Sequence, residues 1–203
     1  MPECAAVRRS RPGGASRFPD DERERRPSAE VGAAGREVVD LAVARQVDHR
    51  ELDVWEAIHG HQRVEQHDWM SPRRGDWLAR LEEVVIDTPG PVVLVAHSLG
   101  CILTAAWGKF SRHTRKVRGA LLVAPGDVEQ ADLAPVLPGW APIVRDALPF
   151  PSVLVGSRND PYCALERAQG LARDWGSRWV DAGARGHINA ESGLGDWPEG
   201  HAH

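Results

Sequence analysis

The chain has 203 residues, a mass of 22.2 kDa and a formal net charge of −4, enough for one domain with a sizeable core. Its 42% hydrophobic and 27% charged residues are those of a globular chain, and the acidic balance argues against a nucleic-acid-binding surface. No apolar run approaches the ~20 residues of a membrane-spanning helix, no signal-peptide core follows the first residues, and Cys4, Cys101 and Cys163 form no CxxC pair, so the expectation is a cytoplasmic protein with reduced thiols.

In chain order, residues 1–35 are rich in Arg, Asp, Glu, Gly and Ala, and Phe18 is the one aromatic among the first fifty. Such a segment buries too little apolar surface to offset its ordering entropy and is expected to be disordered. Residues 37–54 carry Val38, Leu41, Ala42 and Leu52 at loosely helical spacing. Residues 1–50 therefore read as an atypical extension and 51–203 as the domain. All eight tryptophans lie at Trp55 or later.

Beyond that point apolar runs alternate with amphipathic stretches. Residues 63–66 predict a short strand. Residues 76–86 predict a helix with Trp77, Leu78, Leu81, Val84 and Val85 on one face. PVVLVA at 91–96 is a short continuous apolar run, the mark of a strand buried on both faces. A helix is predicted over 98–110, strands over 119–124 and 152–156, a helix over 161–175 with Pro161 in its first turn, and a strand over 178–181. Strands separated by helices imply βαβ units. The fold class is α/β, a doubly wound, mostly parallel sheet with flanking helices.

The strongest chemical signal is Val95-Ala96-His97-Ser98-Leu99-Gly100. It follows a buried strand and opens a helix, as a nucleophile elbow requires. Ala96 stands where a glycine is usual. The turn would present the Ser98 hydroxyl at the sheet edge, and the Leu99 backbone N–H would face a developing oxyanion. The plainer reading of Ser98 is a helix N-cap. A serine nucleophile needs a base and an orienting acid, and in this fold they follow in the order acid, then His. Asp160, in Ser157-Arg158-Asn159-Asp160-Pro161 after a buried strand, is the acid, or alternatively the cap of the next helix. His187, in Gly183-Ala184-Arg185-Gly186-His187 after the last strand, is the base. His97 reads as packed beneath the turn, and Cys101 and Cys163 as structural thiols. His59, His61, His67 and Asp68 complete no metal-ligand set at known spacing, and no metal or cofactor is expected.

On these residues the chain resembles the small serine hydrolases of the retinoblastoma-binding-protein-9-like, or YdeN-like, group of the α/β-hydrolase superfamily. The resemblance rests on Asp68-Trp69 with Pro72 and Asp76-Trp77, LVAHSLGC at 94–101, LLVAPGDVE at 121–129, and PFPSVLVGSRNDPYCALERAQGLARDWG at 149–176. It ends on GHINAESGLGDWPEG at 186–200. It implies that Ser98, Asp160 and His187 are the catalytic residues. Members of that group begin with a buried strand and a Pro-Gly or His-Gly loop that gives the second oxyanion donor. Here the apolar stretch 38–44 is the only candidate for that strand, and it runs into Arg45-Gln46 without a glycine, so the alternatives are a first strand there that lacks its glycine loop, or no first strand. Lys109 and Lys116 are the only lysines among 25 basic residues, as GC-rich DNA read in a shifted frame, or from a misplaced start, would give over residues 1–50.

The sequence therefore reads as a carboxylesterase-like serine hydrolase acting on a small-molecule ester, thioester or amide. The alternative is a non-catalytic fold relative that binds a protein partner, with Trp140 and Trp197, each near prolines, as the exposed tryptophans. Residues 126–148 are the only stretch available as a cap, and their apolar and proline content suggests a minimal lid over a small, partly apolar acyl site.

Overall fold

A computed structural model describes residues 37–41, 62–189 and 192. All described residues belong to one compact unit, 33–203. Residues 1–36, Trp55, the His59-Gly60-His61 group, Trp197 and the tail at 201–203 lie outside the described residues.

Among the described residues six strands form one sheet: β1 (Glu37–Leu41), β2 (Gln62–Arg63), β3 (Val92–His97), β4 (Val117–Val123), β5 (Ser152–Gly156) and β6 (Arg178–Asp181). Their order is β2-β1-β3-β4-β5-β6, and every neighbouring pair is parallel. Among the described residues three α-helices lie between them: α1 (Arg74–Asp87), α2 (Leu99–Phe110) and α3 (Leu165–Trp175). This is the open α/β sheet that alternating apolar runs and amphipathic stretches imply. No helix among the described residues is long and apolar enough to cross a membrane.

The first strand corrects the expectation of a helix from residue 37 and decides between the two alternatives for the upstream strand. Residues 37–41 are extended, not helical, and they pair with β3 from Glu37↔Val92 to Leu41↔Ala96. The sheet thus has its upstream strand, and it begins before residue 50. A short run such as Val38-Val39 does not separate helix from strand by periodicity. What decides is the open edge of β3, whose backbone groups need partners.

The helices follow their apolar faces. α1 buries Trp77, Leu81, Val84 and Val85. α2 is buried from Leu99 through Trp107, as expected of an apolar helix lying against the sheet. α3 starts at Leu165 rather than Pro161, because Asp160 accepts the Tyr162 N–H at 2.8 Å and holds that stretch in a turn. Asp160 is therefore not the helix cap; that position is Ala164. The helix ends at Gly176, whose φ of 68° closes it in the left-handed conformation.

Trp140 overturns its expected exposure. It is fully buried, its indole N–H donates to the Pro72 carbonyl at 2.9 Å, and its ring meets Trp77 edge-on at 5.4 Å. Neighbouring prolines suggest a surface turn, but here they shape a turn that folds inward. The Trp175 indole N–H donates to Val144 O at 2.7 Å, and Arg145 pairs with both Glu129 and Asp174. Residues 126–148 are thus fastened to the body at several points. On the β5–β6 side the Trp179 indole lies over Gly156, where an added Cβ would fall 2.3 Å from the ring.

Candidate active site

Because every strand runs parallel, all the βα turns emerge at one sheet edge, where ligands gather in open α/β folds. Ser98 occupies the turn after β3 with φ 54° and ψ −119°, a conformation costly for a residue with a Cβ. The surroundings enforce it. Ala96 is fully buried, the Ser98 N–H donates to Val123 O at 3.0 Å, and the Gly126 N–H donates to Ser98 O at 3.3 Å. The Ser98 side chain makes no capping bond to α2, so its hydroxyl is not engaged as an N-cap.

That hydroxyl lies 2.8 Å from His187 Nε2. The other ring nitrogen, Nδ1, lies 2.9 and 3.0 Å from the Asp160 oxygens. A carboxylate only accepts, so Nδ1 carries the proton and Nε2 turns its lone pair toward the serine O–H. The Asp160 side chain is only 2% exposed, and it also takes the Tyr162 N–H. Ser98, Asp160 and His187, drawn from the loops after β3, β5 and β6, therefore meet in one constellation.

Two residues that sequence reasoning gave no role hold this loop. Ser157 Oγ accepts the Arg185 N–H at 2.9 Å, and Asn159 Oδ1 accepts the Gly186 N–H at 2.7 Å. Their proximity to Asp160 in Ser157-Arg158-Asn159-Asp160 was the available signal. Gly183 and Gly186, at φ 75° and 57°, let the backbone turn back toward the serine.

His97 sits against the histidine rather than merely beneath the elbow. Its Nε2–H donates to the His187 carbonyl at 2.8 Å, and the two rings meet edge-on at 4.7 Å. Tyr162 makes a second edge-on contact with His187 at 4.6 Å. Nδ1 of His97 is buried without a partner, and burial pushes the pKa of the ring down to about 4. A base with a depressed folded pKa binds a proton first in the unfolded chain, so its neutral burial costs stability as pH falls from about 6.5 toward 4. His97→Gln should flatten that part of the stability–pH curve, measured by urea unfolding at pH 4.5 and 7.5. An unchanged slope would refute a buried neutral His97.

Both described thiols are free and buried. Cys101 Sγ donates to the carbonyls of Ala96 and Val123, both at 3.4 Å, and burial raises its pKa. Burial pushes the Cys163 thiol up to about 12. Asp68 accepts the N–H groups of Met70 and Ser71 at 2.8 and 3.0 Å, closing a turn. The Leu99 N–H belongs to the first turn of α2, whose N–H groups have no partner within the helix. Leu99 and Ser98 both line a cleft of about 180 Å³.

Comparison with known proteins gives a consistent picture. A family model described as "Serine hydrolase" matches residues 45–203. A putative YdeN-like hydrolase from Pectobacterium atrosepticum superposes with a TM-score of 0.70 at 28% identity, covering 81% of this chain and 86% of its own. The ydeN gene product of B. subtilis superposes at 0.62 with 17% identity, covering 81% and 92%. Est1E from Butyrivibrio proteoclasticus superposes at 0.56 with 11% identity, covering 83% and 88%. No curated protein matches the chain.

Proposed function

The chain belongs to the serine hydrolase family, and from that membership we propose that Ser98, His187 and Asp160 form a catalytic triad that cleaves a small ester, thioester or amide. The observation that carries this is the unbroken run of contacts from Ser98 Oγ to His187 Nε2, at 2.8 Å, and from His187 Nδ1 to the Asp160 carboxylate, at 2.9 Å.

In the reading offered here, His187 takes the hydroxyl proton as Ser98 Oγ bonds to the carbonyl carbon. The resulting imidazolium is stabilised by the buried Asp160 carboxylate. The Leu99 N–H donates to the oxygen that becomes negative. Collapse breaks the bond to the leaving group, which takes the proton from His187. Water, deprotonated by the same nitrogen, then releases the acid and restores the serine. The loop after β1, from which a second oxyanion donor would come, lies outside the described residues.

The test is covalent labelling with a fluorophosphonate, read by intact mass. One probe equivalent on the wild type and none on Ser98→Ala is the expected result. A folded wild type that takes no label would replace this reading with that of a protein-binding module.

A further inference from the structure

The cleft above Ser98 is chemically one-sided. Among the described residues that line it, none is Asp, Glu, Lys or Arg. Its apolar walls include Trp69, Met70, Val128, Leu133, Val136 and Leu137, and its uncharged polar groups belong to His97, Ser98, Tyr162, His187 and Asn189. A second cavity, lined by His67, Asp68, Arg73 and Asp76, shows that charged linings do occur in this molecule. Met70 is 67% exposed and Val136 55% exposed, so two apolar side chains on the lining stand in water. A ligand that covered them would gain their burial.

Size adds a second constraint. A volume of about 180 Å³ falls below the ~300–1,000 Å³ that encloses drug-sized ligands. At ~30 Å³ per small heavy group it holds about six non-hydrogen atoms.

Gly126 adds a third. Its N–H fastens it to Ser98 O, and a Cβ there would stand 3.5 Å from Ser98 Oγ and 3.9 Å from the Leu99 nitrogen. Its φ is not in the left-handed region, so the backbone does not demand glycine. What the missing side chain leaves is open space beside the nucleophile.

We infer that this cleft is an acyl subsite for uncharged, apolar acyl groups of about four to six carbons, and that Gly126 and Val136 determine that choice. The inference rests on Ser98 being the nucleophile. An acyl carbon bonded to Ser98 Oγ passes the open face of Gly126, and the chain then runs along Leu133 and Leu137 toward Val136 and Met70. A terminal carboxylate on that chain would lie against apolar side chains and meet no cationic side chain among the described lining.

The experiment begins with fluorophosphonate titration, so that rates refer to labelled sites. Hydrolysis of p-nitrophenyl acetate, butyrate, hexanoate and decanoate is then compared with that of the p-nitrophenyl monoester of adipic acid. Burial of each methylene favours the longer chain about threefold to fourfold. Thus kcat/KM should rise at least 30-fold from acetate to hexanoate, flatten by decanoate, and fall at least tenfold from hexanoate to the adipate monoester. Gly126→Ala and the exposed-site variant Val136→Asp should each lower the hexanoate-to-acetate ratio at least fivefold. A labelled enzyme that treats acetate and hexanoate alike, or accepts the adipate monoester equally well, overturns this inference alone. Unchanged ratios in both variants do the same to the specificity roles. A folded protein that takes no label overturns the nucleophile reading and this inference with it.

Discussion

Asp160→Asn is expected to lower kcat by about 10⁴ while leaving a folded protein. The substitution is nearly isosteric, and one amide oxygen can still accept the Tyr162 N–H that Asp160 now holds at 2.8 Å. The amide NH₂ then faces His187 Nδ1, where the carboxylate stood at 2.9 Å. Two donors cannot face each other, so the imidazole must move its proton to Nε2. In that tautomer Nε2 donates to Ser98 Oγ and cannot take its proton. An equivalent change in a well-studied triad costs ~10⁴ in kcat. Ester hydrolysis beside a thermal melt separates the two effects. A loss below tenfold with an unchanged melt would sink the orienting role.

Trp140→Ala carries the largest effect expected on stability. The side chain is fully buried, and removing a buried tryptophan costs about 3–5 kcal/mol. It also strands the Pro72 carbonyl, which accepts the indole N–H at 2.9 Å. In a chain of this length each kcal/mol moves the midpoint by about 2–4 °C, so calorimetry should show a fall of roughly 10 °C. Trp140→Phe keeps much of the apolar area and loses the hydrogen bond, worth about 1 kcal/mol. A drop for alanine no larger than that for phenylalanine would show that the ring is not packed. The site feels this anchor, since Trp140 meets Trp77 at 5.4 Å and Trp77 meets the cleft residue Trp69 at 5.2 Å.

Much of the frame was legible because it is written in local terms. PVVLVA, GALLVA and SVLVG are apolar runs bounded by turn residues, and each became a strand within a few positions of its expected ends. The elbow was legible for the same reason, a buried run followed at once by small residues around Ser98. Asp160 and His187 could be nominated only by order along the chain. That their side chains meet Ser98 follows from parallel packing and from glycines at 183 and 186, which no spacing rule computes. What stayed hidden depended on partners far away in sequence. β1 is a strand because β3 has an edge to fill. Trp140 is buried because Pro72 and Trp77 receive it. His97 contacts a residue 90 positions away, and the bracing by Ser157 and Asn159 needed the fold to become visible.

The Trp179 indole lying on Gly156 constrains more than packing. No side chain fits at 156 with the indole where it now lies, since even a Cβ would fall 2.3 Å from it. Trp179 could be exchanged for something smaller with 156 unchanged, but the reverse order passes through a clash. The two sites are therefore coupled in mutational history: alanine at 156 requires the indole to move aside, and is easier to accept where 179 already carries a smaller residue.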